Sequence, residues 1–212
     1  MLEEIILWGL NHLNYWTVTI LMAIESSFIP FPSEAVVPPA AWLSVSSVEM
    51  TLVGVVVFAT IGANIGALVN YYLAKYLGRS VVYSFARSRW GKLCLIDEAK
   101  VKYAEEYFVK NGAMSTFVGR LVPAVRQLIS IPAGLAGMNI WKFLLYTTLG
   151  AGTWNIVLAA IGYAIYEMFP NIKTTEDVYK VSKEYSGEIG LVILGVVVLV
   201  AIYFLYKRFK KK

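Results

Sequence analysis

Cysteine and histidine are almost absent from this chain. The single cysteine, Cys94, excludes an internal disulfide and leaves no thiolate set for a metal. The single histidine, His12, offers little to metal binding or general-base chemistry. The expectation for both is plain: Cys94 packs on an interfacial segment and His12 is solvated. Basic residues are missing from the first 74 positions, Lys75 being the first. Glu3 and Glu4 stand where a cleavable signal peptide carries its basic region, so none is expected. Charged residues make up only 16% of the chain and hydrophobic ones 58%, with a mean hydropathy of +0.62. A soluble domain is about 45–50% apolar, so the composition is that of an integral membrane protein. The net charge of +5 comes from local clusters between apolar runs, which speaks against nucleic-acid binding.

What is present divides the 212 residues into short interrupted apolar stretches and longer clean ones. Residues 1–16 read as an interfacial helix with Trp8, Tyr15 and Trp16 near the headgroups, or as the start of a longer helix reaching Ile24. Residues 50–76 read as a spanning helix, uncharged from Met50 to Ala74 and ended by Gly78 and Arg79. Gly62 and Gly66, continued by Ala63 and Ala67, give it a face of small residues where another helix can approach. Residues 79–111 alternate in charge sign, as in an amphipathic helix on the membrane surface, and Asn111-Gly112 is expected to turn the chain. Residues 140–166 read as a second span capped by Asn139, with small positions at Gly150, Gly152 and Gly162. A polar loop, 167–188, then leads to a third span, 189–206.

Two stretches resist a simple spanning reading. Residues 112–138 contain FVGRLVPAVRQLISIPAGLAG, apolar yet carrying Arg120 and Arg126. A charged side chain at membrane depth costs about 2.5–3.5 kcal/mol on insertion scales, so two of them need a reason. Pro123, Pro132 and Gly134 interrupt the helical ladder, which is tolerated there only inside protein or beside a watery cavity. Residues 17–46 are interrupted by Pro30, Pro32, Pro38 and Pro39, with Glu25 and Glu34 on either side of the Pro30-Phe-Pro32 turn. Ser33 is expected to cap the helix that follows. Both stretches read as re-entrant hairpins shaped by Pro30, Pro32, Pro123, Pro132 and Gly134.

Lysine and arginine counts orient the chain. Residues 75–110 carry eight, the 167–188 loop three and the residues after the third span five. The 79–111 segment and the C-terminus are therefore expected in the cytoplasm of a multi-pass plasma-membrane protein. Hairpin plus span then occurs twice with opposite orientation. The expected fold is an all-α polytopic membrane protein, an inverted repeat with an added C-terminal transmembrane helix and the hairpin tips meeting near the midplane.

If the tips meet, Glu25 and Glu34 are placed to pair with Arg120 and Arg126. A structural charge cluster is the plain alternative. Arginine's planar fork suits phosphate oxygens, and a carboxylate beside it links anion binding to protonation. Phe117-Val-Gly-Arg120-Leu-Val-Pro123-Ala-Val-Arg126 with Pro132-Ala-Gly134 resembles the signature of the DedA family, also called the VTT-domain family. Glu25 with Pro30-Phe-Pro32-Ser-Glu34, Gly62-Ala-Asn-Ile-Gly66, Leu77-Gly78-Arg79, Gly150, Trp154 and Gly162-Tyr163 extend the likeness over roughly residues 15–165. Ser33, where glycine is common in the family, departs from the pattern. The resemblance implies transbilayer movement of a phosphate-bearing lipid, such as undecaprenyl phosphate or a phospholipid. It also implies functional roles for Glu25, Glu34, Arg120 and Arg126. Membrane lipids and protons are the partners it suggests; no cofactor or metal is called for, and a homo-oligomer is compatible with it. The runner-up is a proton- or cation-coupled transporter of a small solute. A lipid phosphatase is the enzymatic alternative, and it lacks an acid–base group near the charges.

Overall fold

The computed structural model describes residues 2–27, 32–88, 98–122 and 125–184. Among them only helices and turns occur. Helix α1 spans Leu2–Asn11 and α2 spans Tyr15–Glu25. They are separate because Asn14 adopts an extended backbone and accepts hydrogen bonds from the Trp16 and Thr17 amides. The longer-helix reading of residues 1–24 is thus set aside. After a 3-10 turn at Ser33–Ala35, α3 runs Val37–Ser46 with Pro38 and Pro39 in its first turn, where missing amide hydrogens cost nothing.

Helix α4, Leu52–Leu73, is capped by Thr51 and does not stop at Gly78-Arg79 as expected. It widens into a π-turn at Ala74–Gly78 and continues as α5, Arg79–Arg87. The wider turn absorbs the glycine without ending the helix. The 79–111 segment is likewise not one surface helix. Helix α6, Glu98–Leu121, passes straight through Asn111-Gly112 to Arg120, with the Asn111 side chain donating to the Tyr107 carbonyl within the helix. Helix α7 is Ser130–Leu135, and α8 is Ile140–Met168, its first amides held by the Asn139 side chain as expected. Gly137, at a φ of +64°, makes the turn between them, a conformation that a side chain would strain.

The 167–188 stretch is not all loop: residues 175–184 are helical and form α9. Thr174 caps it, its Oγ1 accepting from the Asp177 amide while its hydroxyl donates to the Asp177 carboxylate. The same hydroxyl holds the Asp177 carboxyl below its usual range. Cys94, Pro30, Pro123 and the expected third span, 189–206, lie outside the described residues.

Helices α4 and α8 are long and apolar enough to cross a membrane. They run antiparallel, because Thr60 meets Asn155, Asn64 meets Thr148 and Tyr71 stacks on Phe143. Each carries one arm from either interrupted segment: α2 and α7 pack along α4, while α3 and α6 pack along α8. Lipid tails are as apolar as leucine, so close backbone approach rather than apolar burial holds such helices together. The glycines supply it. A Cβ at Gly62 or Gly66 would strike the carbonyl of Thr19 or Ala23 in α2. One at Gly134 would strike Tyr71 of α4, and one at Gly162 the Pro38 carbonyl. Gly152, by contrast, has 3.8 Å of room to Thr60.

Beside a small cluster of Trp42, Ile165 and Val178, two apolar clusters result. The larger gathers Val18, Met22, Val36, Ala40, Val55 and Leu158, and the smaller Ala67, Tyr71, Phe108, Ala133 and Phe143. Along α8, the stretch from Thr147 to Trp154 leads from the smaller cluster to the larger, and both arginines reach α8 there.

Candidate functional site

Helix α2 ends at Glu25 and α6 delivers Arg120 in its last turn, so two helix ends bring opposite charges into one place. Glu25 and Arg120 are each 3% exposed and Arg126 is 8% exposed. Arg126 Nη2 lies 2.7 Å from Glu25 Oε1, a close ion pair off the line of a hydrogen bond. The same nitrogen donates to Ser33 Oγ at 2.6 Å, and the guanidinium sits 5.1 Å from the Trp154 ring centre, a cation–π contact. Ser33 therefore serves the arginine rather than a helix start; the turn it begins has no side-chain cap.

Arg120 makes no ion pair among the described residues. Its Nη1 donates to Ser26 Oγ and its Nη2 to Ser130 Oγ, both at 2.9 Å. Its stem packs on Gly150 of α8, where a Cβ would meet Arg120 Cβ at 2.6 Å. Asn70 of α4 fastens the two segments to each other, donating to the Ser26 carbonyl at 3.2 Å and the Gln127 carbonyl at 3.3 Å.

Of the four expected charges, then, Glu25, Arg120 and Arg126 come together. Glu34 makes no ion pair among the described residues; it is half-buried, and its backbone carbonyl accepts from Ser182 Oγ of α9. The α2 end buries Glu25, whereas Glu34, in the tight 3-10 turn, is only half-buried. Pro132 and Gly134 lie within α7, and Pro32 precedes the 3-10 turn. Sequence reasoning missed the part that Ser26, Ser33, Ser130 and Asn70 play in holding the charges. Ser26 and Ser27 following Glu25 at the end of an apolar run were a readable signal; the reach of Asn70 across 57 residues was not. His12 is exposed at the end of α1, its ring on Trp8.

The VTT-domain family model matches residues 31–164. This chain belongs to the VTT-domain (DedA) family. Among its relatives, the alkaline phosphatase-like protein of Lactococcus lactis subsp. lactis is 35% identical over the whole chain and 95% of that protein. Undecaprenyl phosphate transporter A of Bacillus subtilis is 31% identical over 98% of this chain and 95% of the relative. Its namesake in Staphylococcus aureus is 29% identical over the full length of both. No solved structure matches the chain. Family membership, with α4 and α8, makes this a membrane protein of helical construction.

Proposed function

We propose that this VTT-domain protein moves a phosphate-bearing lipid, such as undecaprenyl phosphate or a phospholipid, between bilayer leaflets, and that it is not an enzyme. One observation carries the reading. Two buried guanidiniums face one buried carboxylate, so the described cluster holds one positive charge more than it balances. A buried unbalanced charge is costly, and an anion entering from the membrane relieves it. The relatives named undecaprenyl phosphate transporter A support phosphate as that anion.

An apolar groove favours a lipid over a small solute. It runs along the α4–α8 seam, with a volume of about 510 Å³ between Val56, Ile61, Leu68 and Leu144, and Asn64 and Thr148 on its wall. Such a wall suits a hydrocarbon tail while the headgroup seeks the charges.

The exchange of arms between α4 and α8 supports an inverted repeat of two re-entrant segments. In this reading, residues 79–111 and the C-terminus face the cytoplasm of a plasma-membrane protein, and Cys94 reports it. A membrane-impermeant thiol reagent leaves Cys94 unmodified in intact cells and labels it after the membrane is opened. Labelling from outside reverses the orientation.

Protonation completes the proposed cycle. When phosphate occupies Arg126, the hold of that arginine on Glu25 weakens, and the carboxylate takes up a proton. Glu34, at the outer turn, is the second proton carrier. Lipid translocation is measured in proteoliposomes with and without an imposed pH difference, for the wild type, Glu25→Gln and Glu34→Gln. Gradient-driven movement by the wild type that is lost in the variants supports coupling. A wild type that moves lipid but ignores the gradient leaves Glu25 as a structural partner of Arg126.

A further inference from the structure

The buried face of α8 holds polar groups that the charge cluster leaves unused. Thr147, Gly150 and Trp154 follow one another at three and four residues, on one side of the helix. Thr147 is fully buried and Trp154 nearly so, yet Thr147 Oγ1 and Trp154 Nε1 have no hydrogen-bond partner among the described residues. Thr147 differs in this from its neighbours in kind. Thr19, Thr60 and Thr153 each give their hydroxyl to the carbonyl four residues back. The Nε groups of Arg120 and Arg126 are unpartnered too, because the serines and Glu25 take only their Nη nitrogens. A buried donor without an acceptor is costly, and native proteins seldom keep several together.

All four belong to residues where the two arginines meet α8. Arg126 lies over the Trp154 ring, and Arg120 packs on Gly150, between Trp154 and Thr147. The geometry points to Thr147 and Trp154 as headgroup-binding residues, which with the two Nε groups donate to the oxygens of a phosphate. The inference rests on the lipid-phosphate reading above and adds the α8 side of its site. Three of the four groups can only donate, so they call for a ligand that accepts on several atoms. A phosphate monoester, with three terminal oxygens, meets this need better than a carboxylate with two. Gly150 fits the same purpose: any side chain there would push Arg120 away from α8.

Free phosphate and a lipid phosphate offer the same oxygens, so the test uses farnesyl phosphate, farnesol and inorganic phosphate. The protein is purified in detergent with 15N-labelled tryptophan, and the indole N–H signals are followed by NMR. The Trp154 signal is identified as the one lost in Trp154→Phe, which keeps a ring under Arg126. Farnesyl phosphate is expected to move that signal downfield to saturation, and farnesol to leave it in place. A matching response to inorganic phosphate makes free phosphate the ligand; no response to it makes the ligand a lipid headgroup, and the donor role stands in both cases. Thr147→Val and Trp154→Phe are each expected to weaken farnesyl phosphate binding about tenfold, the loss of one hydrogen bond to a charged group. A Trp154 signal that stays fixed while Arg126→Ala abolishes binding overturns the α8 donors and keeps the arginine reading. If wild type and Arg126→Ala bind farnesyl phosphate equally, the arginine reading fails, and the donor set with it.

Discussion

Residues 15–46 and residues 98–135 each bring a helix end, a turn and a second short helix to the centre of the molecule, and they bring opposite chemistry. The first supplies one buried carboxylate, Glu25, with the hydroxyls of Ser26 and Ser33; the second supplies two guanidiniums and the hydroxyl of Ser130. Among the described residues, both the hydrogen bond and the ion pair of the Arg126 side chain, and one of the two hydrogen bonds of the Arg120 side chain, cross from the second segment to the first. The acid segment is thus the counter-charge and the socket for the basic one. In the proposed function, the inequality between them, two charges against one, is what an entering anion would relieve.

The comparison is broken most severely at Glu25. Glu25→Leu leaves two buried guanidiniums without a carboxylate, and breaking such a pair costs about 3–5 kcal/mol. Thermal unfolding in detergent is expected to show a large drop, whereas Glu34→Leu, which removes no ion pair among the described residues, is expected to stay near wild type. Equal losses from the two would mean that Glu34 shares the arginines after all.

Next come the contacts that hold each segment to its long helix. Gly66→Val drives a side chain into the Ala23 carbonyl of α2, and overpacking of this kind costs about 1–3 kcal/mol. Gly152→Ala sets its methyl in ordinary contact with Thr60, at 3.8 Å, and is expected to be neutral in the same measurement. Asn70→Ala removes both bonds that tie Ser26 to Gln127, with an expected cost of about 1–3 kcal/mol. A neutral Asn70→Ala would show that the two segments hold together without it.

Arg126→Lys sharpens the question of what the basic segment offers. It keeps the charge and loses the planar guanidinium, whose Nη2 reaches both Glu25 and Ser33, so lipid translocation in proteoliposomes is expected to fall about tenfold with normal insertion. Lys142→Ala, an exposed lysine near the start of α8, is expected to change little. Full activity in Arg126→Lys would mean that charge alone suffices. The smallest effect belongs to Ser182→Ala, which frees α9 from the Glu34 carbonyl; one lost hydrogen bond is about 0.5–1.5 kcal/mol.

By itself the sequence determined the class of molecule, its two long apolar helices, its family and the residues worth suspecting. Those signals are local: an uncharged run long enough to cross a bilayer, glycines four apart, prolines where a helix must break, arginines where charge is expensive. Caps are local as well, and Asn139 was legible because its side chain bonds amides two and three residues on. The Thr174 cap, bonded to Asp177 three residues on, was equally local, and it marks the helix read as a loop. Other boundaries were misjudged because Gly78 and Gly112 carry turn signals that packing overrides. Gly78 sits against Leu135, and Gly112 against Phe108 and Met138, inside continuing helices.

Tertiary structure decided the pairing. Ser26 meets Arg120 across 94 residues and Ser33 meets Arg126 across 93, and Glu25 rather than Glu34 becomes the counter-ion. No short-range rule selects among these choices. A buried charge takes whichever partners the crossing helices leave within about 3 Å, and helix ends are aimed by packing against α4 and α8, not by their own residues.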